Sequence, residues 1–233
     1  MWAVWSLAAY FADPRYLPSP AAVFAAIGAG VATGDLPYHV GITLLRVAAS
    51  FLIAMFIGSA IGILMGRWSR FNLFFDSWLT LFLNLPALVT IILCYIWFGL
   101  YEAAAITAVA LNKIPNVAVT MREGARALSA DYSQMARVYR FGRWRTFRHV
   151  TLPQLAPFFA AATRSGLALV WKIVLVVELL GRSNGVGFQL YLYFQQFDVT
   201  NILAYAIAFI AVVQAIELFI LQPWERSVNR WRR

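Results

Sequence analysis

The sequence predicts an all-α integral membrane protein, with about six transmembrane helices in one domain that covers residues 1–233. Of its residues, 62% are hydrophobic and only 12% are charged, whereas a soluble domain is nearer half apolar and a quarter charged. Long apolar runs alternate with short polar or basic stretches, as in a chain that crosses a bilayer repeatedly. The net charge of +9 comes from arginines at the ends of apolar runs. That placement indicates membrane topology and contact with anionic lipid, and argues against a nucleic-acid partner.

The N-terminal segment predicts half a span followed by a surface helix. Residues 1–12 are apolar, but a spanning helix needs about 20 residues. We interpret them as the outer half of a first span, which Pro14 and Pro18 end. Ser19 followed by Pro20 is typical of a helix start, with a capping hydroxyl and proline at the first helical position. We expect the next helix, over about 21–33, to lie at the outer surface.

The second span, about 38–65, contains one charge and a row of glycines. Arg46 is costly in lipid, so we expect it to pair or to reach a polar region. Gly58, Gly62 and Gly66 recur every four residues and therefore share one helix face. Such a face lets another helix approach closely. We favour packing within the chain over a contact between two copies.

The third and fourth spans contain polar residues that are out of place in a lipid-facing helix. Over about 72–100, Asn84 and Pro86 predict a kink near the middle of the span. Over about 103–120, Asn112 and Lys113 should face the bundle interior or a water-filled path. We predict that Asn84, Asn112 and Lys113 line a translocation path.

The fifth span, about 158–180, adds Lys172 and Glu178 to this predicted path. These two residues are six apart and do not share a helix face, so a simple mutual pair is not expected. For Lys172 pore lining and a structural role stay equally open, whereas for Glu178 a structural role is favoured. A last span is expected over about 202–221, after an interfacial or re-entrant segment at 191–197.

The basic residues give a topology for these six spans. They follow spans two, four and six, whereas the turns after one, three and five carry only Arg15 and Arg182. Because Lys and Arg accumulate on the cytoplasmic side, both chain termini are predicted to be cytoplasmic. The C-terminal tail, with four arginines, should anchor the chain at the inner membrane surface. Those four are Arg226, Arg230, Arg232 and Arg233.

The most basic segment, the Arg-rich loop, is predicted to be a cytoplasmic loop over about 121–157. It holds seven arginines, at positions 122, 126, 137, 140, 143, 145 and 148. Two short helices are expected within it, at about 131–139 and 144–150. Gly142 would supply the turn between them, since glycine tolerates backbone angles that other residues resist. Leu152 and Pro153 would end the loop, and Pro157 would open the next span.

This loop resembles the cytoplasmic "EAA" loop of permease subunits from ATP-binding-cassette importers. Aligned on the closing Leu152-Pro153, the motif's Glu-Ala-Ala falls on Gln134, Met135 and Ala136. Ala136, Leu152 and Pro153 match, and Gln134 and Val150 are close. Met135 departs from the motif, and so does Arg140, which stands where the motif has glycine. Further stretches are similar to the nitrate, sulfonate and taurine branch of these permeases. They are LPSP at 17–20, WFGL at 97–100, and Trp171 with Glu178 before Gly185 and Gly187.

The resemblance implies a type I importer fold in a bacterial inner membrane, with two permease copies around the path, most simply a homodimer. It places Gln134, Met135 and Ala136 on a docking helix for a separate cytoplasmic ATPase. Arg137, Arg140 and Arg143 would meet acceptors on that partner or on lipid. A periplasmic or lipid-anchored binding protein would deliver a small, often anionic solute such as nitrate, a sulfonate, taurine or bicarbonate. The chain has no G-x-x-x-x-G-K-S/T stretch, so ATP and Mg²⁺ are expected on the partner and no cofactor here.

Two other classes of protein have less support from the sequence. An ion-coupled carrier would use Lys113, Lys172 and Glu178 as an ion relay. Such carriers usually contain two related halves with broken helices in corresponding places, and no convincing repeat is visible here. An intramembrane enzyme has less support, because the sequence offers no catalytic Ser/His/Asp arrangement, no paired carboxylates and no metal-ligand spacing.

Overall fold

The computed structural model describes residues 2–13 and 15–224. These residues form helices joined by short turns, and no β-strand occurs among them. Pro14 and the tail arginines at 226, 230, 232 and 233 lie outside the described residues. The helices are α1 (Trp2–Phe11), α2 (Pro20–Thr33), α3 (Asp35–Arg67), α4 (Ser69–Asn84), α5 (Ala87–Phe98), α6 (Glu102–Arg126), α7 (Ala130–Val138), α8 (Arg143–Thr146), α9 (Leu152–Gly181), α10 (Val186–Gln195) and α11 (Val199–Ile216).

Four helical segments of the described chain are long and apolar enough to cross a membrane. They are α3, α6, the continuous run Arg143–Gly181 that includes α8 and α9, and the run Val199–Trp224 that begins with α11. A fifth is reached if α4 and α5 together form one broken span. The predicted six is not reached, because α1 has ten residues and is therefore only about 15 Å long.

The predicted kink in the third span is a much sharper break. The axes of α4 and α5 differ by 98°. Leu85 and Pro86 between them both adopt extended backbone angles. Proline disfavours helical angles in the residue before it and has no N–H to continue the helix, so two successive extended residues separate the helices completely. Over residues 72–100 there are thus two helices and a corner.

The core of the bundle is the contact between α3 and α6, and the glycine row creates it. A Cβ atom on Gly58 would lie 2.7 Å from Cβ of Val117, and one on Gly66 would lie 2.5 Å from Cβ of Ala125. Gly62 faces the Ala118 carbonyl just as closely. The three glycines therefore let the two helix backbones touch, as expected for small residues on one face. The prediction that this face packs within the chain is confirmed.

The helix α9 begins earlier than the sequence suggested. The expected short helix at 144–150 is instead the start of one 39-residue run, Arg143–Gly181. A π-helical turn, Phe147–Thr151, lies within it, and the Leu152 N–H donates to the Phe147 carbonyl. This wider turn accommodates Pro153, which lacks an N–H and would crowd the carbonyl four residues earlier in an α-helix. Pro157 lies inside α9 and does not open a helix.

Two further expectations about helix ends can be compared with the structure. The predicted start of α2 is confirmed, since the Ser19 hydroxyl accepts a hydrogen bond from the Ala22 N–H at 3.3 Å and Pro20 is the first helical residue. The segment at 191–197 is the end of helix α10 and the turn after it. The helix α10 packs on α9 and α11.

Candidate functional site

The helix α7 lies at the centre of the Arg-rich loop and matches the predicted docking helix to within one residue at each end. Gln134 and Met135 are exposed on it, whereas Ala136 is buried with 2% of its surface accessible. Val138 and Tyr139 add exposed apolar surface at its C-terminal end, at 78% and 70% accessibility. The helix therefore presents Met135 and Val138 outward and holds Ala136 against its own chain.

The turn after α7 is made by Arg140 and not by Gly142. Arg140 has a positive φ of 50°, whereas Gly142 has φ −61° and ψ 158°, an extended conformation that any residue adopts. The N–H of Phe141 donates to the Ala136 carbonyl at 2.8 Å, and the N–H of Arg140 donates to the Arg137 carbonyl at 3.0 Å. This is the Schellman ending of a helix, whose left-handed position is usually glycine. Arg140 thus keeps the backbone geometry at the position where the resembled motif has glycine.

The start of α7 is tied to the beginning of the spanning helix by one side chain. The Ser129 N–H donates to Oε1 of Gln154 at 3.0 Å, and Nε2 of Gln154 donates to the Val150 carbonyl at 2.9 Å. On the other side of the loop, the guanidinium of Arg145 lies 4.8 Å from the ring centre of Phe141, a cation–π contact. The docking helix is therefore attached at both ends to the run Arg143–Gly181.

The arginines of the loop divide into two groups. Arg122 pairs with Asp76 at 2.5 Å and with Glu123 at 3.1 Å, and Arg126 pairs with Glu123 at 3.2 Å. The pair Arg122–Asp76 links α6 to α4, whereas the two pairs with Glu123 lie within α6. Within the described residues the other group forms no ion pair, and its side chains are exposed. That group is Arg137, Arg140, Arg143, Arg145 and Arg148, of which Arg145 makes the cation–π contact with Phe141. It leaves positive charge around α7 available to another molecule.

At the opposite end of the bundle, Arg46 and Glu178 are the buried centre of a cluster with Arg182, Asn184 and the half-exposed Glu102, here called the buried ion cluster. Arg46 donates from Nη1 to Oε1 of Glu178 at 2.7 Å and from Nε to Oε2 of Glu102 at 2.9 Å. Its Nη1 also donates to the Asn184 carbonyl at 2.8 Å, and Arg182 donates to Glu102 at 2.6 Å. The side chain of Glu178 is completely buried and that of Arg46 is 4% accessible. The expectation that Arg46 pairs is confirmed.

Two glycines allow the loop after α9 to close over Glu178. The Gly187 N–H donates to Oε2 of Glu178 at 2.8 Å, and the Thr43 hydroxyl donates to the same oxygen at 2.9 Å. Gly185 has a positive φ of 104°, and a Cβ on it would collide with the Glu178 carboxyl. A Cβ on Gly187 would meet the Leu175 carbonyl. The backbone of the Gly185-x-Gly187 stretch therefore lies directly against the buried Glu178 carboxylate.

The predicted path residues do not meet at one place. Asn84 is exposed and donates to the Thr80 carbonyl at 2.8 Å, and Asn112 is half-buried. Lys113 is buried with 2% accessibility between α3, α6 and α9, whereas Lys172 is exposed on α9. Glu178 belongs to the buried ion cluster and is bound to Arg46, so it does not pair with Lys172. Whether any of the five lines a path stays a prediction.

Sequence reasoning missed the partners of Arg46, although a signal was present. Arg182 was interpreted only as a turn residue, and no specific partner was predicted for Arg46. An arginine inside a span requires a counter-charge at the same depth. Arg46 lies near one end of α3, and only Glu102 and Glu178 offer carboxylates near the matching ends of α6 and α9.

Comparisons with known proteins agree with this architecture. Residues 55–223 match the family described as the binding-protein-dependent transport system inner membrane component. The chain is 31% identical over 216 residues to the putative aliphatic sulfonates transport permease protein of Bacillus subtilis (strain 168), with 93% of this chain and 78% of the relative covered. It is also 31% identical over 233 residues to the protein of that name in Escherichia coli (strain K12), covering 98% and 88%.

A bicarbonate transport system permease protein of Synechococcus elongatus is 28% identical over 185 residues, which cover 78% of this chain and 66% of the relative. These relatives are all named as permease proteins of transport systems, so they do not support the ion-coupled carrier hypothesis. The family match covers the glycine row, the Arg-rich loop and α9, which are the features that determine the fold. The chain therefore belongs to the family of inner membrane components of binding-protein-dependent transport systems.

Proposed function

We propose that this chain is the membrane-spanning permease subunit of an ATP-driven importer for a small anionic solute. The observation that carries the proposal is α7, a short helix with Met135 and Val138 exposed among arginines that form no ion pair within the described residues. A helix with an apolar face and a basic rim suits a groove that is apolar inside and acidic or backbone-lined at its edge. The partner that offers this groove is a separate ATPase on the cytoplasmic side, which holds the ATP and Mg²⁺.

The coupling step requires that movement of α7 reaches the spans. The helix is fastened by Gln154 and by the turn at Arg140 to the run Arg143–Gly181, which is continuous for 39 residues. When the ATPase pair closes on ATP, the docked helices move, and this continuous helical run tilts with them as one rigid segment. Because coupling is a difference in binding free energy between two states, the ATPase must bind the loop differently in the inward-open and outward-open forms.

The remaining parts of the proposal follow from family membership and from charge. A second copy of this chain completes the path, and a periplasmic or lipid-anchored binding protein delivers the solute. The arginines at the ends of α3 and α6 and in the loop support assigning that end of the bundle to the cytoplasmic side of a bacterial inner membrane. Relatives are named for aliphatic sulfonates, bicarbonate, taurine and nitrate, which supports a small anion as the solute class.

The experiment is co-purification from cells that express the chain with its neighbouring genes. We expect an ATPase subunit to co-purify with the wild-type chain in mild detergent, and Met135→Asp to lose it. Met135 is preferred to Ala136 because Ala136 is buried, so a charge there would disturb the chain itself. Tyr101→Asp, at an exposed turn at the other end of the bundle, is the matched control and should retain the ATPase. A stable complex without an ATPase, able to move solute down an ion gradient, would refute the proposal.

A further inference from the structure

Lys113 is a buried cation without a counter-charge. It lies in the middle of α6, and in the part of the chain that the structure describes its ammonium group has neither a hydrogen bond nor an ion pair. The end of its side chain packs over Gly166 of α9, where an added Cβ would lie 2.8 Å from Cε and 3.5 Å from Nζ of the lysine. The ring of Phe51 on α3 closes the same space, at 3.3 Å from that Cβ position.

Two unpaired hydroxyls lie on α3 and α9, the helices that pack against Lys113. The side-chain oxygens of Ser50 and Thr163 are buried without a hydrogen-bond partner among the described residues. Ser50 precedes Phe51 on α3, and Thr163 lies one turn from Gly166 on the buried face of α9. Buried polar groups are nearly always hydrogen-bonded, and leaving one unpaired is costly. An unpaired ammonium group and two unpaired hydroxyls on three adjoining helices therefore point to a missing ligand.

The chemistry of the three groups identifies the class of that ligand. An ammonium group offers three N–H donors and no acceptor, and each hydroxyl can donate one more hydrogen bond. Glu102 and Glu178, the carboxylates of the buried ion cluster, are already bound by Arg46. No acidic side chain of the described chain therefore neutralises Lys113. A ligand with a negative charge and several acceptor oxygens supplies the counter-charge and the acceptors that these groups lack.

We propose that Lys113, Ser50 and Thr163 form an intramembrane binding site for a small oxyanion, which is the anionic group of the transported solute. The inference rests on the proposed importer function for the identity of the ligand, but not for the existence of the site. Gly166 makes room for the end of the lysine side chain, because a Cβ there would lie 2.8 Å from Cε of Lys113. The site lies within one chain, so each copy of the permease would carry one.

The test is thermal unfolding of the purified chain in detergent with sodium methanesulfonate, bicarbonate, nitrate or chloride at equal ionic strength. We expect at least one oxyanion to raise the unfolding midpoint of the wild-type chain in a saturable way and more than chloride does. Lys113→Met should weaken that apparent affinity by about tenfold or more, since it removes a charge-assisted hydrogen bond. Arg70→Met, which removes an exposed cation at the corner between α3 and α4, is the matched control and should leave it unchanged.

Ser50→Ala and Thr163→Val provide the second test in case Lys113→Met fails to fold. Each removes one donor with little change of volume, and each should weaken the oxyanion effect several-fold. The proposal is overturned if no oxyanion exceeds chloride in the wild type, or if the site variants keep the full effect. Oxyanion stabilisation without a co-purifying ATPase would retain the site and reject the importer. If the ATPase co-purified and ATP drove uptake, but no oxyanion stabilised the chain, the importer would be retained and the site rejected.

Discussion

Arg46 shows how a single charge inside a span can organise three helices. It lies on α3 and is bound by Glu178 of α9 and Glu102 of α6. Removing one partner of a buried ion pair leaves the other charge unpaired in a medium of low dielectric constant, which costs far more than the pair itself contributes. The contribution of the buried ion cluster is therefore seen best when its members are removed one at a time and then together.

We predict that Arg46→Met destabilises the chain by about 3–5 kcal/mol, because it leaves the Glu178 carboxylate buried and unpaired. The double variant Arg46→Met with Glu178→Gln should recover part of that loss, since the amide carries no charge. The measurement is the free energy of unfolding in a detergent titration, made on all members of the double-mutant cycle. Additive losses, with no recovery in the double variant, would show that the two residues do not act as a pair.

The backbone of Arg140 carries a second prediction. Its left-handed conformation is unfavourable for a residue with a Cβ and costs glycine nothing. Arg140→Gly should therefore raise the free energy of unfolding by up to about 1 kcal/mol. Gly142→Ala should be nearly neutral, because Gly142 is extended and a Cβ there meets no atom within 4 Å. If Gly142→Ala destabilised the chain and Arg140→Gly had no effect, the turn would depend on Gly142 and not on Arg140.

At the scale of elements, the contact between α3 and α6 depends on the absence of side chains. We predict that Gly58→Val forces the two helices apart and destabilises the chain by about 1–3 kcal/mol, as overpacking does elsewhere. Gly41→Ala in the same helix is the matched control, because a Cβ there meets nothing within 4 Å. That control should be neutral or slightly stabilising, since alanine favours helix more than glycine does. Equal effects at both positions, in the same unfolding measurement, would argue against close packing at Gly58.

The sequence predicted the helices well where periodicity and caps determine them. The start of α2 at Ser19-Pro20, the extent of α7 and the packing face of α3 all follow from local spacing. Prolines were harder to interpret. Pro86 lies at a 98° corner, whereas Pro153 and Pro157 lie inside one continuous helix. Proline removes one hydrogen bond in every case, and what decides the outcome is whether neighbouring turns can widen or the residue before it becomes extended.

For the whole molecule, the sequence predicted the candidate docking helix but not which of its residues faces outward. Met135 is exposed and Ala136 is buried, although both occupy motif positions. The turn at Arg140 brings the N–H of Phe141 back to the Ala136 carbonyl, at 2.8 Å. The buried ion cluster likewise joins residues that are more than 50 positions apart. Contacts of this kind depend on how helices assemble, which no local pattern specifies.

The last prediction tests whether the run Arg143–Gly181 transmits movement from α7 to the membrane. Arg148 and His149 are exposed on its π-helical turn, so both can be replaced without disturbing the core. The double substitution Arg148→Gly with His149→Gly should make the turn flexible, because each glycine weakens a helix by about 1 kcal/mol. The double alanine variant removes the same side chains and keeps the helix rigid.

We expect both variants to co-purify with the ATPase to the same extent, because Met135 and Val138 are unchanged. Uptake per ATP hydrolysed in proteoliposomes should fall about tenfold in the glycine variant and stay near the wild-type value in the alanine variant. Equal uptake in the two variants would show that the loop acts on the spans by a route other than this helix.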